Sequence, residues 1–397
     1  MQLTPRAELE DRVIRFQERL KQEDLQGALL KERVDLFYFA GSMQQGYLFI
    51  PTEGDPVYMV KRNFSRACEE SSWNQVMSLK SVKKLPLYLA EAGFKNVQRI
   101  GLELDVLPVN EYYRLQEVLP GVDFKDVSLV IKEIRMLKSP YEVDFFREAG
   151  RIAAEIMGKV PDLLQVGKSE LMVAAEMENL YRRAGHQGLL RMRTFNTEMF
   201  FGHVYSGVNG MKSTFLDSCT GGEGLTTACP QGAGRKKLAP HEPIGLDYAS
   251  IYEGYTLDHT RVFSIGELSD DLLKAYSLAK RIQDEVVSRC KPGVSVEDLY
   301  TLSLELAASE GLEEYFMGYG DGKVKFIGHG VGLDIDEFPI LSAGHHFLQP
   351  GMVFALEPKF IFPDKGVVGL ENVWHITEEG AEKLSPIADD LVTVPIK

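Results

Sequence analysis

Apolar side chains recur at one-turn intervals in the first part of the chain. Within Arg6–Glu23 they stand on an otherwise charged background, at Leu9, Val13, Phe16 and Leu20. That spacing predicts an amphipathic helix. The runs that follow predict strands at Ala28–Leu30, Asp35–Gly41, Gly46–Pro51, Pro56–Val60 and Arg99–Leu104, and a helix at Asn110–Leu119. This alternation predicts an α/β domain over residues 1–133.

A second domain is predicted for residues 134–397. Ser139-Pro140-Tyr141-Glu142 has the sequence of a capping box, with Ser as N-cap and Glu at the third helical position. Two predicted helix pairs follow the boundary, and each contains a Gly-to-Gly interval of 18 residues, 185 − 167 and 311 − 293. Equal intervals favour two halves related by a pseudo-twofold repeat. Two helices of ordinary length would also give similar intervals, so coincidence is the alternative.

Gly245–Phe263 predicts a β-hairpin that turns at Glu253-Gly254. In that register Ala249 faces Asp258, and Asp247 lies diagonal to Asp258 at roughly 7–8 Å. Two carboxylates this close on a mostly apolar hairpin are costly unless a proton or a cation lies between them. The alternative is a pair of solvated aspartates at the strand ends.

Three further segments carry candidate metal ligands. Ile327–Gly332 places His329 between glycines, where the alternative is an ordinary turn residue. Met352–Glu357 and Val367–Trp374 are predicted strands that carry Glu357 and Glu371 in apolar surroundings. Four carboxylates and one imidazole suit two divalent cations, with manganese first and cobalt, iron or zinc as alternatives. The predicted ligands are Asp247, Asp258, His329, Glu357 and Glu371.

Charge and cysteine use narrow the class of protein. The 397 residues carry a net charge of −14, which disfavours nucleic acid or an anionic membrane as the main partner. No apolar run approaches a membrane span, and the charged start lacks the apolar core of a signal peptide. The four cysteines show no C-x-x-C spacing, which favours reduced thiols over a disulfide framework or a zinc–thiolate site. A cytoplasmic protein is predicted.

In their order and gaps these motifs resemble those of the pita-bread metallopeptidases, family M24, in the prolidase and Xaa-Pro aminopeptidase branch. The matching motifs are D-x10-D with D-x-T-R, then G-H-G-V-G-L, then L-E-P, then a Glu in an apolar strand. The resemblance implies a creatinase-like N-terminal α/β domain and an α+β pita-bread catalytic domain. It places all five predicted ligands on metal positions and makes Glu357 the residue that moves the proton. It also implies a bridging hydroxide that attacks the peptide carbonyl, and a homodimer.

The chain departs from the family pattern on the substrate side. Asp336 stands where a second His is usual, and Pro230 stands near the place of another His, seventeen residues before Asp247. Gly369 replaces an Arg that usually precedes the last ligand by two residues. Asp336 and His203 are the candidate substrate-side residues. Residues Ser213–Arg235, rich in Gly, Ser and Thr, are predicted to form a long surface loop near the site.

Three functions are open at this point. The first is a peptidase, dipeptidase-like or aminopeptidase-like, that cuts before proline in short peptides. The second is a lyase or amidine hydrolase of the same fold that acts on a small metabolite. The third is a non-catalytic binding protein, and the complete ligand set counts against it because such relatives generally lose metal ligands.

Overall fold

The computed structural model describes residues 2–396, which divide into two compact units. The first comprises the described residues through Arg135 together with Arg193–Asn196. The second comprises Met136–Met192 and the described residues from Thr197 onward. None of the helices within residues 2–396 combines the length and apolar character needed to cross a bilayer.

The first unit is an α/β domain built on one six-stranded sheet. The sheet has the order β4-β3-β2-β1-β5-β6, with β1 antiparallel to β2 and parallel to β5. Apolar side chains from the strands and from α4 and α5 form its core. The elements are α1 (Arg6–Gln22), β1 (Gly27–Leu30), α2 (Arg33–Ala40), β2 (Gly46–Pro51), β3 (Val57–Val60), α3 (Phe64–Glu70), β4 (Val76–Ser78), α4 (Leu85–Glu91), β5 (Arg99–Leu102), α5 (Val109–Val118), β6 (Asp123–Asp126) and α6 (Ser128–Met136).

One strand prediction in this unit is wrong. Asp35–Gly41 lies in helix α2 and its C-cap rather than in a strand. The Glu32 side chain accepts hydrogen bonds from the first backbone amides of α2, and Gly41 ends the helix in the left-handed conformation, with φ 74°. Because most of α2 is buried, the segment has no polar face, and a short apolar run does not separate helix from strand by its periodicity.

The second unit combines two pairs of long helices with three sheets. Its elements are α7 (Pro140–Met157), α8 (Val160–Leu163), α9 (Glu170–Arg183), β7 (Gly202–Ser206), β8 (Pro243–Tyr252), β9 (Tyr255–Ile265), α10 (Asp270–Arg289), α11 (Val296–Ser309), β10 (Phe326–Gly330), β11 (Glu337–Ser342), β12 (Val353–Leu356), β13 (Lys359–Phe362), β14 (Gly366–Gly369), β15 (Asn372–Ile376), β16 (Ala381–Lys383) and β17 (Val392–Val394). The sheets have the orders β17-β9-β8-β7, β11-β10-β12-β15-β16 and β13-β14.

The predicted hairpin is confirmed in its register. Strands β8 and β9 pair antiparallel with Tyr252 opposite Tyr255 and Ala249 opposite Asp258. The capping box at Ser139 is also present, since its side chain accepts from the Glu142 amide and the Glu142 side chain accepts from the Ser139 amide. The two helix pairs α7/α9 and α10/α11 lie where the repeat predicted them. Long, strongly patterned elements were therefore predictable.

Val367–Trp374 is two strands rather than the single predicted strand. β14 pairs with β13 and ends at Gly369, whereas β15 begins at Asn372 and pairs with β12. Between them the chain changes sheets, and the Glu371 amide donates to the carbonyl of Thr260 at 3.1 Å. Glu371 therefore stands at a break in β pairing, where its side chain is fixed by neighbours from β9 and β13.

Candidate metal centre

The structure brings the five predicted ligands together inside the second unit. Strand β8 carries Asp247, β9 carries Asp258 and β10 carries His329, while Glu357 follows β12 and Glu371 precedes β15. Asp258, His329 and Glu371 each offer a ligand atom, and these three atoms lie within 4.8 Å of one another. All three residues are largely buried, and carboxylates and imidazole are suitable donors for a divalent cation.

A lysine that the sequence analysis did not consider joins the remaining carboxylates. The Lys359 ammonium lies 2.8 Å from Glu357 Oε2, 3.1 Å from Asp247 Oδ2 and 3.2 Å from Glu371 Oε2. Its side chain is 1% exposed. Three of the five predicted ligands therefore already bind a positively charged group, the ammonium of Lys359.

His329 is held by the backbone carbonyl of Gly330 and by the carboxylate of Asp336. Its Nδ1 lies 3.1 Å from the Gly330 carbonyl and 3.3 Å from Asp336 Oδ1, which leaves Nε2 facing Glu357, 3.8 Å from Oε1. A carbonyl only accepts, so Nδ1 carries the hydrogen and Nε2 is free to bind a metal. The neighbouring strand requires Gly330, because a Cβ there would lie 2.0 Å from the Phe338 carbonyl oxygen. Asp336 thus contacts His329, and through this contact it can fix the orientation of the imidazole ring.

Two residues of β9 hold Glu371 in place by hydrogen bonds. The Thr260 hydroxyl donates to Glu371 Oε2 at 2.7 Å, and Arg261 Nη1 donates to the Glu371 carbonyl at 2.8 Å. Arg261 is buried and also donates hydrogen bonds to Asn372 and Asp389. It therefore connects strand β9 with the residues around Glu371 and with the segment that contains Asp389. Within residues 2–396, hydrogen bonds to Glu371 side-chain oxygens reach Oε2, and Oε1 is left for another partner.

Burial and mutual repulsion set the charge state of the protein's own groups. Burial together with Glu371 and Asp247 raises the pKa of Asp258 well above its usual range. Burial also raises the pKa of Glu371, to about 7, although Lys359 opposes this shift. Burial alone would lower the pKa of Lys359, but Asp247, Glu357 and Glu371 raise it well above its ordinary value. A cluster of acids that resists full ionisation is a site that stabilises added positive charge.

The donor set fits one divalent cation readily. Asp258, His329 and Glu371 each offer one ligand atom, which gives a set of two carboxylate oxygens and one imidazole nitrogen. A second cation on Asp247, Glu357 and Glu371 would share the carboxylate oxygens that Lys359 already binds. The two predicted ion positions therefore differ: Asp258, His329 and Glu371 surround one of them, and the carboxylates around the other already contact Lys359.

His203 lies directly opposite Asp247 in the β7–β8 pairing. Its Nδ1 is 3.1 Å from the Gly221 carbonyl, and its Nε2 is 3.2 Å from the Gln231 amide nitrogen. Because Nδ1 must donate to the carbonyl, Nε2 accepts from Gln231 and the ring is neutral, in agreement with a pKa that burial lowers. The predicted surface loop is therefore anchored beside the site at Gly221 and Gln231, which are buried, while residues 225–228 between them are exposed.

Lys359 and Thr260 are the residues that the sequence analysis missed. A signal for Lys359 was present, since it follows Glu357-Pro358 and begins the apolar run Lys359-Phe360-Ile361-Phe362. A charged side chain inside an apolar strand needs a partner, and Lys359 meets this condition in the same way as Glu371. Thr260 lies in the D-x-T-R motif, but Thr is an ordinary strand residue, and the motif does not show that its hydroxyl donates to Glu371.

Comparison with known proteins defines the class. The profile of metallopeptidase family M24 matches residues 144–378, and that of the creatinase/prolidase N-terminal domain matches residues 12–137. Since the first match spans more than half of the 397 residues, the chain belongs to metallopeptidase family M24. The predicted family, the creatinase-like and pita-bread folds and the prediction of a peptidase enzyme are confirmed.

Relatives of known name align along nearly the whole chain. An Xaa-Pro dipeptidase of Pyrococcus furiosus is 26% identical over 386 residues, with 96% of this chain and 99% of the relative covered. A probable dipeptidase PepE of Mycobacterium bovis is 28% identical over 384 residues and covers 94% and 93%. Among solved structures, an Xaa-Pro dipeptidase from Bacillus anthracis has a TM-score of 0.82 at 23% identity, with 97% and 100% covered, which establishes the shared fold.

Proposed function

We propose that this protein is a metal-dependent peptidase that releases the N-terminal residue from short Xaa-Pro peptides. The observation that carries the proposal is the buried meeting of Asp258, His329 and Glu371, three suitable metal donors, beside Glu357 and Asp247. The Xaa-Pro specificity is supported by the names of relatives that align end to end with the chain.

The residues of the chain divide the work of hydrolysis. A divalent cation at Asp258, His329 and Glu371 supplies a Lewis acid for the peptide carbonyl when bound. Glu357 takes the proton of the attacking water and passes it to the leaving amine, which its position beside His329 allows. Lys359 holds Oε2 of Glu357 at 2.8 Å, so the other oxygen of that carboxylate is the one directed at the reacting groups. Asp336 keeps the His329 ring in one orientation.

Manganese is the proposed ion, with cobalt, iron or zinc as substitutes, because the donor set is rich in oxygen. A homodimer in the cytoplasm also stays a prediction. Light scattering on protein that elutes from a size-exclusion column measures its molar mass, which should be twice that of one chain if the protein is a homodimer.

The test is a substrate screen on chelator-treated protein to which Mn²⁺, Co²⁺, Fe²⁺ or Zn²⁺ is returned. We expect release of Xaa from Xaa-Pro dipeptides or from longer Xaa-Pro peptides, with Mn²⁺ or Co²⁺ giving the fastest turnover. Dipeptides with alanine in place of proline serve as controls. Folded, metal-loaded protein that cuts none of the Xaa-Pro peptides would refute the proposal.

Asp336 favours a second candidate, a lyase or amidine hydrolase that acts on a small zwitterion. This side chain is 44% exposed and stands where the family pattern has a His, so it offers a substrate a carboxylate instead of an imidazole. Adding small zwitterions to the same screen separates the two candidates. Turnover of a zwitterion without turnover of any peptide would favour the second.

A further inference from the structure

We infer that Lys359 replaces the second metal ion, so that the centre holds one divalent cation and one fixed ammonium group. The inference rests on the proposed metal-dependent function, since it concerns the same cavity. It revises the expected number of ions from two to one.

The ammonium occupies the place of a cation by geometry. It contacts one oxygen each of Asp247, Glu357 and Glu371 at 2.8–3.2 Å, which are hydrogen-bond distances. An ammonium has three donors, and these three carboxylates satisfy all of them. The side chain is fully enclosed, so Lys359 has no solvated alternative nearby.

The backbone aims this side chain into the cavity. Lys359 is the first residue of β13, its carbonyl accepts from the Met317 amide at 2.9 Å, and it pairs with Gly369 of β14. A Cβ on residue 369 would lie 2.9 Å from Lys359 Cγ and 2.4 Å from the Pro358 carbonyl oxygen. Gly369, which stands where the family pattern has Arg, therefore leaves room for the lysine stem. The positive charge that Arg would carry at residue 369 is here carried by Lys359, the residue paired with Gly369 on the neighbouring strand.

Electrostatics then exclude a second ion. A metal on Asp247, Glu357 and Glu371 would lie within a few ångströms of Nζ, and like charges at that distance repel strongly in a buried site. The same ion would have to displace three charge-assisted hydrogen bonds. The group of Asp258, His329 and Glu371 contains only one of the three carboxylates that Lys359 contacts, so an ion bound there meets less of this repulsion. Lys359 thus converts the five-ligand cavity into a single-ion site.

The test counts bound Mn²⁺ in the full-length protein and in variants, without substrate. Chelator-treated wild type, Lys359→Ala and Lys359→Met are equilibrated with Mn²⁺, and bound ion is measured by atomic emission and by electron paramagnetic resonance. Lys365→Ala is the matched control, because Lys365 is exposed in the β13–β14 turn and pairs with Asp271. Lys359→Met keeps most of the stem and removes the charge, so it covers the case in which Lys359→Ala does not fold.

We expect one Mn²⁺ per chain with the spectrum of an isolated ion in wild type and Lys365→Ala. We expect two ions with an exchange-coupled spectrum in the folded Lys359 variant. Two coupled ions in wild type, or a single ion in folded Lys359→Met, would overturn the inference. Peptide turnover is measured on the same samples: two ions with turnover would refute only this inference, and one ion without turnover would refute only the proposed function.

Discussion

Asp258→Asn is expected to lower kcat/KM on an Xaa-Pro dipeptide by at least about 10²–10³-fold, the scale on which loss of one essential electrostatic group acts. Asn keeps the shape of the side chain and still accepts the hydrogen bond from the His259 amide, which reaches Oδ1 at 2.9 Å. It removes one carboxylate from the group that Asp258 forms with His329 and Glu371, which is the proposed metal site. The loss should therefore arise from weaker metal binding rather than from misfolding.

Thermal unfolding of metal-free protein separates these causes. Burial and the neighbouring Glu371 and Asp247 disfavour a charged Asp258, so the neutral Asn should leave the melting temperature equal or higher. Asp364→Asn, an exposed change in the β13–β14 turn, is the control and should alter neither activity nor stability. A folded Asp258→Asn variant with wild-type Mn²⁺ affinity and turnover would remove Asp258 from the site.

Asp35→Asn should destabilise the first unit by about 3–5 kcal/mol, the usual effect of breaking a buried ion pair. Asp35 is fully buried, and its oxygens lie 2.8 Å from Arg135 Nη1 and 2.6 Å from Arg193 Nη1. Asn would replace the carboxylate that these two largely buried guanidinium groups share with a neutral amide, although Arg193 keeps its ion pair with Asp105. Urea unfolding at pH 7 measures the effect, and Asp55→Asn, an exposed partner of Arg6, should change stability by less than about 1 kcal/mol.

The pH dependence of this stabilisation has a definite sign. Burial alone would raise the pKa of Asp35, but Arg193 and Arg135 lower it below its ordinary value. A carboxyl whose pKa is depressed by folding stabilises the protein above its unfolded pKa, near 3.9, and loses that contribution as the pH falls through the folded value. The stability gap between wild type and Asp35→Asn should therefore be full at pH 7 and shrink below about pH 4. A gap that widens in acid would contradict this assignment.

Patterns that repeat over many residues predicted most of the fold. The hairpin register followed from one turn and the period of two in β-strands, and it placed Asp247 and Asp258 correctly relative to each other. The capping box followed from local chemistry at Ser139 and Glu142. These features depend on neighbours in sequence, so the sequence alone contains them.

The remaining features depend on residues far apart in the chain. The buried carboxylate of Asp35 in α2 accepts hydrogen bonds from Arg135 and from Arg193, which lies 158 residues away in the sequence. The break at Glu371 arises because β14 and β15 pair with different strands. Lys359 meets Asp247 across 112 residues, and no local pattern indicates which carboxylates will receive a buried lysine. The sequence thus indicated which acidic and imidazole side chains would lie near one another, but not the lysine that lies among them.

A crystal structure of Mn²⁺-loaded protein, with anomalous difference density measured at the manganese edge, would locate the bound ion directly. We expect a peak bounded by Asp258, His329 and Glu371, with Lys359 Nζ still on Asp247 and Glu357. If Mn²⁺ binds the protein but gives no anomalous density at those three side chains, Asp258, His329 and Glu371 do not form the metal site.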